Sequence, residues 1–329
     1  MGRKRFVPIA GVSDRYKMKF PLNIPAEAEF DVFGFGTNAV DFLISVPEYP
    51  SYGSKIELAN YVRSVGGEVA TTMVGLQRLG MRTSYAGRFG DDDAGRFGTG
   101  SMEDERVDLE FSEVVAGAET QIAFIVIDQK TGERTVIWRR DEKLSFTAND
   151  APVAAIEKCR LLHMTPHDTS ACIRLAQKAR SVGVPVSLDV DNVFDRIEEL
   201  LPLVDILIAG SEFPQKFLGV ADAKQALHLL ASKYANALLG VTLGARGSMI
   251  LCNGVFAETD GFAVPGGCKD TTGAGDAFRV GLIYGLLQGK SVEESGRIAN
   301  AVAALKCRKL GARTALPTQN ELTSFLGTV

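Results

Sequence analysis

Apolar residues fall into two patterns along the chain. Short, nearly continuous apolar runs occupy 30–35, 160–164, 184–189, 204–208 and 237–242. Between some of them, at 169–182 and 222–235, apolar positions recur every three or four residues, the spacing of one helix face. Short β runs alternating with helical stretches predict an α/β fold: a mostly parallel central sheet flanked by helices on both faces. Ligands of such sheets sit beyond the carboxyl ends of the strands. Two segments break the rhythm. Residues 55–65 and 119–140 read as strands with no helix between them. The second holds Gln121 followed by apolar residues 122–127, a Lys130-Thr131-Gly132 turn and the run 134–138, which together predict a hairpin. Strands that leave the main sheet predict a small β-lid. Residues 1–29 are polar and aperiodic, so they are expected to form a loosely held N-terminal extension before a single domain over 30–329.

Composition narrows the classes. The 329 residues include 36 Lys+Arg and 40 Asp+Glu, a formal charge of −4. There is no positive excess to neutralise phosphates, so nucleic acid is not an expected partner. With 46% hydrophobic residues the chain has enough apolar surface to fold, which excludes a disordered protein. No apolar run approaches the roughly 18 residues needed to span a bilayer, and no apolar stretch follows Arg3, Lys4 and Arg5 as a signal peptide requires. The five cysteines are scattered without a C-x-x-C pair. Reduced, mostly buried thiols and a cytoplasmic location are expected.

The stretch 270–278, Asp-Thr-Thr-Gly-Ala-Gly-Asp-Ala-Phe, carries the clearest chemistry. Val280, Leu282, Ile283, Leu286 and Leu287 follow it on one helical face. Gly273, Ala274 and Gly275 therefore open a helix, where amide hydrogens are unpaired and the dipole is positive. Without bulky side chains, those amides can close on an anion such as a transferring phosphoryl group. Asp276, in the first turn, is placed to accept the proton of an attacking hydroxyl. The competing reading makes Asp276 a helix cap and the glycines a tight turn.

Other segments extend this picture. A strand at 241–242 runs into a turn containing Gly244 and Gly247, where backbone can approach a nucleotide; an ordinary hairpin turn is the alternative. Gly66-Gly67 opens an apolar helix against which a polyhydroxylated ligand can lie. Asp41, after the first strand, can accept hydrogen bonds from two hydroxyls. Arg139, Arg140 and Lys143 form a basic cluster suited to an anionic group of the substrate or to phosphates, or are simply solvated. Glu68, beside the glycine pair, argues against an acidic substrate. Trp138 suits stacking on a sugar or packing in the lid.

Some motifs mislead. Gly34-x-Gly36-x-x-Ala39 fits a dinucleotide fingerprint, but β-rich residues rather than a helix follow it. Gly289-Lys290-Ser291 resembles the end of a P-loop, yet position 284 is Tyr and the preceding residues form an apolar helix. Asp91-Asp92-Asp93 lacks EF-hand spacing. His163 and His167 lack a third metal-ligand candidate, although His167 falls at a strand's carboxyl end and so beside the pocket.

Taken together, the chain resembles the PfkB, or ribokinase-like, carbohydrate kinases. Residues 270–278 resemble that family's C-terminal signature. The Gly66-Gly67 helix start and residues 87–95 resemble its N-terminal one. The likeness runs from about residue 30 to Pro317. It implies ATP-dependent phosphorylation of a sugar hydroxyl, a Mg²⁺ requirement, a lid over the sugar and a homodimer through that lid. It makes Asp276 the catalytic base and gives Gly273, Ala274, Gly275 and the Asp276 amide the anion hole. Asp41, Gly66, Gly67 and the residue at position 71 would contact sugar, and Gly244, Gly247 and Asn300 would lie around the nucleotide. Asp270 and Thr272 match positions that hold a monovalent cation such as K⁺ in some members. Glu212 matches an acidic residue that organises Mg²⁺. The chain departs from the pattern in two places: Thr71 and Ala209 stand where the family usually has Asn. Fructose-like ketohexoses, ribose and 2-keto-3-deoxy acids stay open as substrates, with the arginine pair favouring an acid. A nucleoside kinase of the same family and a non-catalytic sugar sensor are the alternatives.

Overall fold

The computed structural model describes residues 18–130, 134–210 and 212–329. The chain begins with β1 (Val32–Phe35), β2 (Ala39–Val46), β3 (Asn60–Gly66), α1 (Glu68–Arg78), β4 (Thr83–Ala86), β5 (Arg88–Gly90) and α2 (Asp93–Asp104). Then come β6 (Glu113–Val115), β7 (Ile122–Asp128), β8 (Arg134–Arg139), β9 (Leu162–Met164), α3 (Thr169–Val182), β10 (Val186–Val190) and α4 (Ile197–Leu200). The last part holds β11 (Ile206–Ala209), α5 (Phe213–Leu218), α6 (Ala223–Lys233), β12 (Leu238–Thr242), β13 (Ser248–Cys252), β14 (Val255–Thr259), α7 (Ala274–Leu287), α8 (Val292–Lys306) and α9 (Gln319–Leu326).

Eight strands form the main sheet in the order β14-β13-β12-β11-β10-β9-β1-β4. Pairs from β4 to β12 are parallel; β13 and β14 add an antiparallel edge. The central strands are apolar on both sides because helices cover both faces. Strand alternation divides β11 cleanly: Ile206 and Ile208 enter the core shared with α1, α7 and α8, while Leu207 and Ala209 enter the core shared with α3.

A second sheet, in the order β3-β2-β7-β8, forms the lid. The expected hairpin is present as antiparallel β7 and β8; Thr131 and Gly132 of its turn lie outside the described residues. The lid boundaries differ from expectation. One of its two inner strands is β2, the segment directly after β1, and 55–59 carry no strand. The same β-rich run that rules out the dinucleotide reading thus belongs to the lid. Alternation gives the lid two walls. Asp41, Ala123 and Trp138 align across one, with Ile125 and Val136 in the next row. Phe42, Phe124 and Ile137 align across the other, where Phe42 stacks on Phe124 at 5.1 Å.

The described part of the N-terminal segment is not loose. The Met18 amide donates to the Glu293 carboxylate at 3.1 Å, Arg160 Nε donates to the Pro25 carbonyl at 2.7 Å, and Phe20 and Ile24 pack on the core. Three apolar side chains in a polar stretch suffice to dock it; residues 1–17 lie outside the described residues. Helix α7 ends at Leu287 with Gly289 in a left-handed turn, so Gly289-Lys290-Ser291 is a helix end. Among the described residues no helix is long and apolar enough to cross a membrane.

Candidate active site

The start of α7 lies at one end of a cleft of about 550 Å³ beneath the lid. Gly273 caps the helix in the left-handed region (φ 74°), and a Cβ there would stand 2.9 Å from the Ala312 Cβ. The Ala274 amide donates to the Thr271 carbonyl at 3.0 Å. This corrects the expected anion hole, because the turn itself consumes that donor. Among the described residues the amides of Gly275 and Asp276 have no backbone acceptor and remain available.

Asp276 lines the cleft half-buried. Burial, reinforced by Asp189 and Asp191 and opposed by Arg279 and Lys306, lifts its carboxyl to about 7. Arg279, one α-helical turn on, forms a buried ion pair with Asp189 and donates from Nη2 to the Ile208 carbonyl at 2.9 Å. A Cβ at Gly275 would meet Arg279 Nη1 at 2.6 Å, so the anion-binding turn and this arginine share one space. Arg279 and Asp189 were not singled out from sequence. The available signals were a charge within the apolar pattern of α7 and an acid closing the apolar strand β10.

At the lid end, Asp41 projects from β2. Burial lifts its carboxyl to about 6, against the pull of Arg313. A Cβ at Gly66 would lie 2.1 Å from Asp41 Oδ2, and one at Gly67 (φ 88°) would lie 2.4 Å from Asn38 Cα. The glycine pair therefore permits α1 to start against the carboxylate. Buried Arg313 donates to the Gly66 carbonyl and, at 3.3 Å, to Thr71 Oγ1. Thr71 is thus occupied behind the cleft wall and is absent from its lining, contrary to its expected sugar contact. Sequence reading did not find Arg313.

Strand parity overturns the expected role of Arg139. It lies on the outer lid wall and pairs with Glu119, whereas Arg134, Val136 and Trp138 line the cleft. Arg134 reaches across to Thr271 Oγ1 in the signature loop. Arg140 is held by Asp168 at 2.7 Å, and Lys143 Nζ by the Gly117 carbonyl at 2.7 Å. Glu212 is also misplaced for its expected metal role: its side chain is 76% exposed and bonds Lys216 at 3.0 Å. Ser211 of that element lies outside the described residues. Magnesium at a phosphoryl-transfer site draws most ligands from phosphates and water and needs only one or two carboxylates. Asp191, which lines the cleft just past β10, meets that need.

Gly244 (φ 60°) faces open space at the end of β12, as a nucleotide approach requires. Gly247 is packed instead: a Cβ would meet the Thr259 carbonyl at 2.0 Å. Asn300 Nδ2 donates to Thr259 Oγ1 at 2.9 Å and to the Thr259 carbonyl at 3.1 Å, bracing the β13–β14 edge. Asp270 accepts from the Thr272 amide and the Gly311 amide, each at 2.8 Å, and faces Lys306. His163 is structural: it contacts Ser187 Oγ at 3.1 Å and burial lowers it to about 3, leaving it neutral. His167 lines the cleft as expected, with its ring 5.0 Å from Phe194 and 6.4 Å from Trp138. Asp92 caps α2 through the Gly95 amide at 2.7 Å; among the described residues no cluster of three metal-ligating side chains occurs.

A helix start with two unclaimed amides and a half-buried carboxylate, set under a β-lid bearing a second carboxylate, is an arrangement that suits phosphoryl transfer to a hydroxyl. Comparison with known proteins agrees. The profile of the pfkB family carbohydrate kinase matches residues 31–319. A ribokinase of Haemophilus influenzae is 29% identical over 88% of this chain and 96% of its own. A nucleoside kinase of Methanothermobacter thermautotrophicus is 27% identical over 88% of this chain and 94% of its own. The solved ribokinase of Arabidopsis thaliana, complexed with ribose and ATP, superposes with a TM-score of 0.79 at 23% identity, covering 90% of this chain and 98% of its own. The chain belongs to the pfkB family of carbohydrate kinases. Its fold is ribokinase-like, and its reaction class is phosphoryl transfer to a sugar hydroxyl.

Proposed function

We propose that this enzyme transfers the γ-phosphoryl of MgATP to a hydroxyl of a neutral sugar, with Asp276 as general base. One observation carries the reading: Asp276 lines the same cleft as Asp41, in the helical turn whose Gly275 and Asp276 amides are unclaimed among the described residues. Asp276 takes the proton of the acceptor hydroxyl. Those amides, with the positive end of α7, hold charge developing on the phosphoryl oxygens. Gly273 supplies the turn that aims them. Asp41 orients the sugar through two hydroxyls against the Gly67 backbone; Gly66, expected to join it, is buried behind the wall with its carbonyl taken by Arg313. Arg134, reaching from the lid to Thr271, closes over the transferring group and excludes water. Gly244 gives the nucleotide a bare stretch of backbone. When bound, Mg²⁺ neutralises phosphate charge, and Asp191 is the side chain placed to help hold it. The intact base and free amides argue against a non-catalytic sensor.

The walls speak to acceptor charge. Asp41, Glu68, Asp189, Asp191 and Asp276 line the cleft with two arginines, Arg134 and Arg279, the latter paired with Asp189, while Arg139 and Arg140, expected to attract an acid, lie outside it. Glu68 Oε2 stands 3.7 Å from His167 Nδ1, and among the described residues neither atom has a hydrogen-bond partner, which leaves both for ligand hydroxyls. With Arg279 paired to Asp189, the remaining carboxyls outnumber Arg134, so an acidic sugar would meet more like charges than opposite ones. A nucleoside acceptor is the second reading, favoured by the aromatic wall of Trp138, His167 and Phe194. ADP release measured with ribose, fructose, adenosine and 2-keto-3-deoxygluconate tests both. Neutral acceptors are expected to exceed the acid in kcat/KM by about tenfold or more, one close like-charge contact being equivalent to at least ~1.4 kcal/mol. A preference for the acid overturns the charge assignment; no acceptor-dependent ADP from any hydroxyl compound overturns the kinase reading.

The outer lid wall exposes Phe124, Ile137 and Tyr61 beside Phe42. We assign it to a homodimer contact. Sedimentation is expected to give about twice the 35.3 kDa chain mass, and Phe124→Glu a monomer; a monomeric wild type refutes the contact. Five free cysteines, four of them buried, fit a cytoplasmic protein.

A further inference from the structure

The turn that feeds α7 is anchored by a single carboxylate. Asp270 Oδ1 accepts from the Thr272 amide and Oδ2 from the Gly311 amide, tying both sides of the loop together. The end of α8 brings a cation to the same place. Lys306 is fully buried, its Nζ donates to the Asp270 carbonyl at 2.9 Å, and it stands 3.6 Å from Asp270 Oδ2. A wholly buried lysine is rare, and an ammonium without a counter-charge would be severely penalised. Here one negative charge faces one positive charge.

Asp270 and Thr272 are the residues to which the family resemblance assigns a monovalent cation. In this chain Thr272 Oγ1 is buried with no partner among the described residues, but the Asp270 carboxylate already faces an ammonium and does not fit an added ion. An ion held by the Asp270 carboxylate would lie beside the Lys306 ammonium, placing two positive charges against one carboxylate away from water. Lys306 also has the required chemistry: it fixes the Asp270 backbone and side chain together, as a liganded ion would, and its charge acts on Asp276 in the direction of ionisation. We infer that the Lys306 ammonium is the resident cation of this loop, so that the enzyme works without K⁺ or any other bound monovalent ion. The consequence for turnover rests on the kinase reading; the consequence for ion binding does not.

Two measurements on the full chain test this. The first is turnover and nucleotide affinity of the wild type in KCl, NaCl and tetramethylammonium chloride at equal ionic strength. Values are expected to agree within less than the roughly fivefold change that marks a coupled effector. Activation by K⁺ beyond that factor overturns the inference. The second compares wild type with Lys306→Met. The variant is expected to lose about tenfold or more in kcat in tetramethylammonium, the equivalent of one charge-assisted hydrogen bond, and to recover part of it in KCl or NH₄Cl. A folded variant with full turnover, or one that neither ion restores, overturns the inference, the latter because an ordinary salt bridge gives loss without rescue. Melting temperature supplies a readout free of catalysis: K⁺ should raise it specifically in the variant and not in the wild type. If the variant does not fold, the wild-type ion series still decides. If no acceptor yields ADP, the kinase reading has failed while the melting series still tests the ion site.

Discussion

Asp276→Asn is expected to lower kcat by a factor on the order of 10²–10⁴ while leaving nucleotide affinity nearly unchanged. The amide cannot take the hydroxyl proton, yet it nearly preserves the volume and leaves the backbone donors of Gly275 and Asp276 in place. The pH dependence is part of the same prediction. Folding raises the Asp276 carboxyl to about 7, chiefly by burial. A base must be ionised to work, so kcat/KM of the wild type is expected to be full above that value and to fall as pH drops through it. The variant should lose the limb near 7 along with the rate, keeping only the lower one that Asp41 sets at about 6. Steady-state kinetics from pH 5 to 9 check both. Wild-type-like turnover, or an unchanged acid limb in a slowed variant, would remove Asp276 from the role.

Asp41→Ala is expected to raise KM for the sugar, lowering kcat/KM by about 10²–10³, since each hydrogen bond to a charged group contributes roughly 1.5–3 kcal/mol. Affinity for an ATP analogue should hold, because Asp41 lies at the lid end of the cleft. Calorimetric titration of each ligand separates the two effects. Equal losses for sugar and nucleotide would point to collapse of the β2 strand rather than to a lost contact. The Gly66 backbone lies against this carboxylate, so the structural readout matters as much as the kinetic one.

What the sequence disclosed was local. Asp276 and its glycines adjoin one another, and the apolar face that follows them announces a helix, so the turn and its chemistry could be read from nine consecutive residues. The alternation of β runs and helical stretches likewise revealed the sheet. What stayed hidden depended on contacts between distant segments. Arg279 meets Asp189 some ninety residues away, Arg313 donates to Thr71, and Lys306 reaches Asp270 from another helix. No spacing rule encodes such meetings. Glu212 was legible as an acid at a strand end but not as one turned to Lys216 and solvent. Arg139 was different: it is adjacent to Trp138, and period-two alternation sufficed to send one of them inward and the other outward. β2 was recognised as β-rich, but which sheet it joined was decided by its partners.

The two-walled lid constrains how this protein can change over evolutionary time. One wall of each strand is committed to the acceptor and the other to the outside, with successive residues alternating between them. A substitution can retune one wall at a time. Removing a single codon within Arg134–Arg139 would instead invert every residue beyond it, turning aromatic and aliphatic groups outward and bringing the neighbouring arginine in. Diversification of substrate choice in this lid is therefore open to point replacement and nearly closed to insertion or deletion, except at the hairpin end.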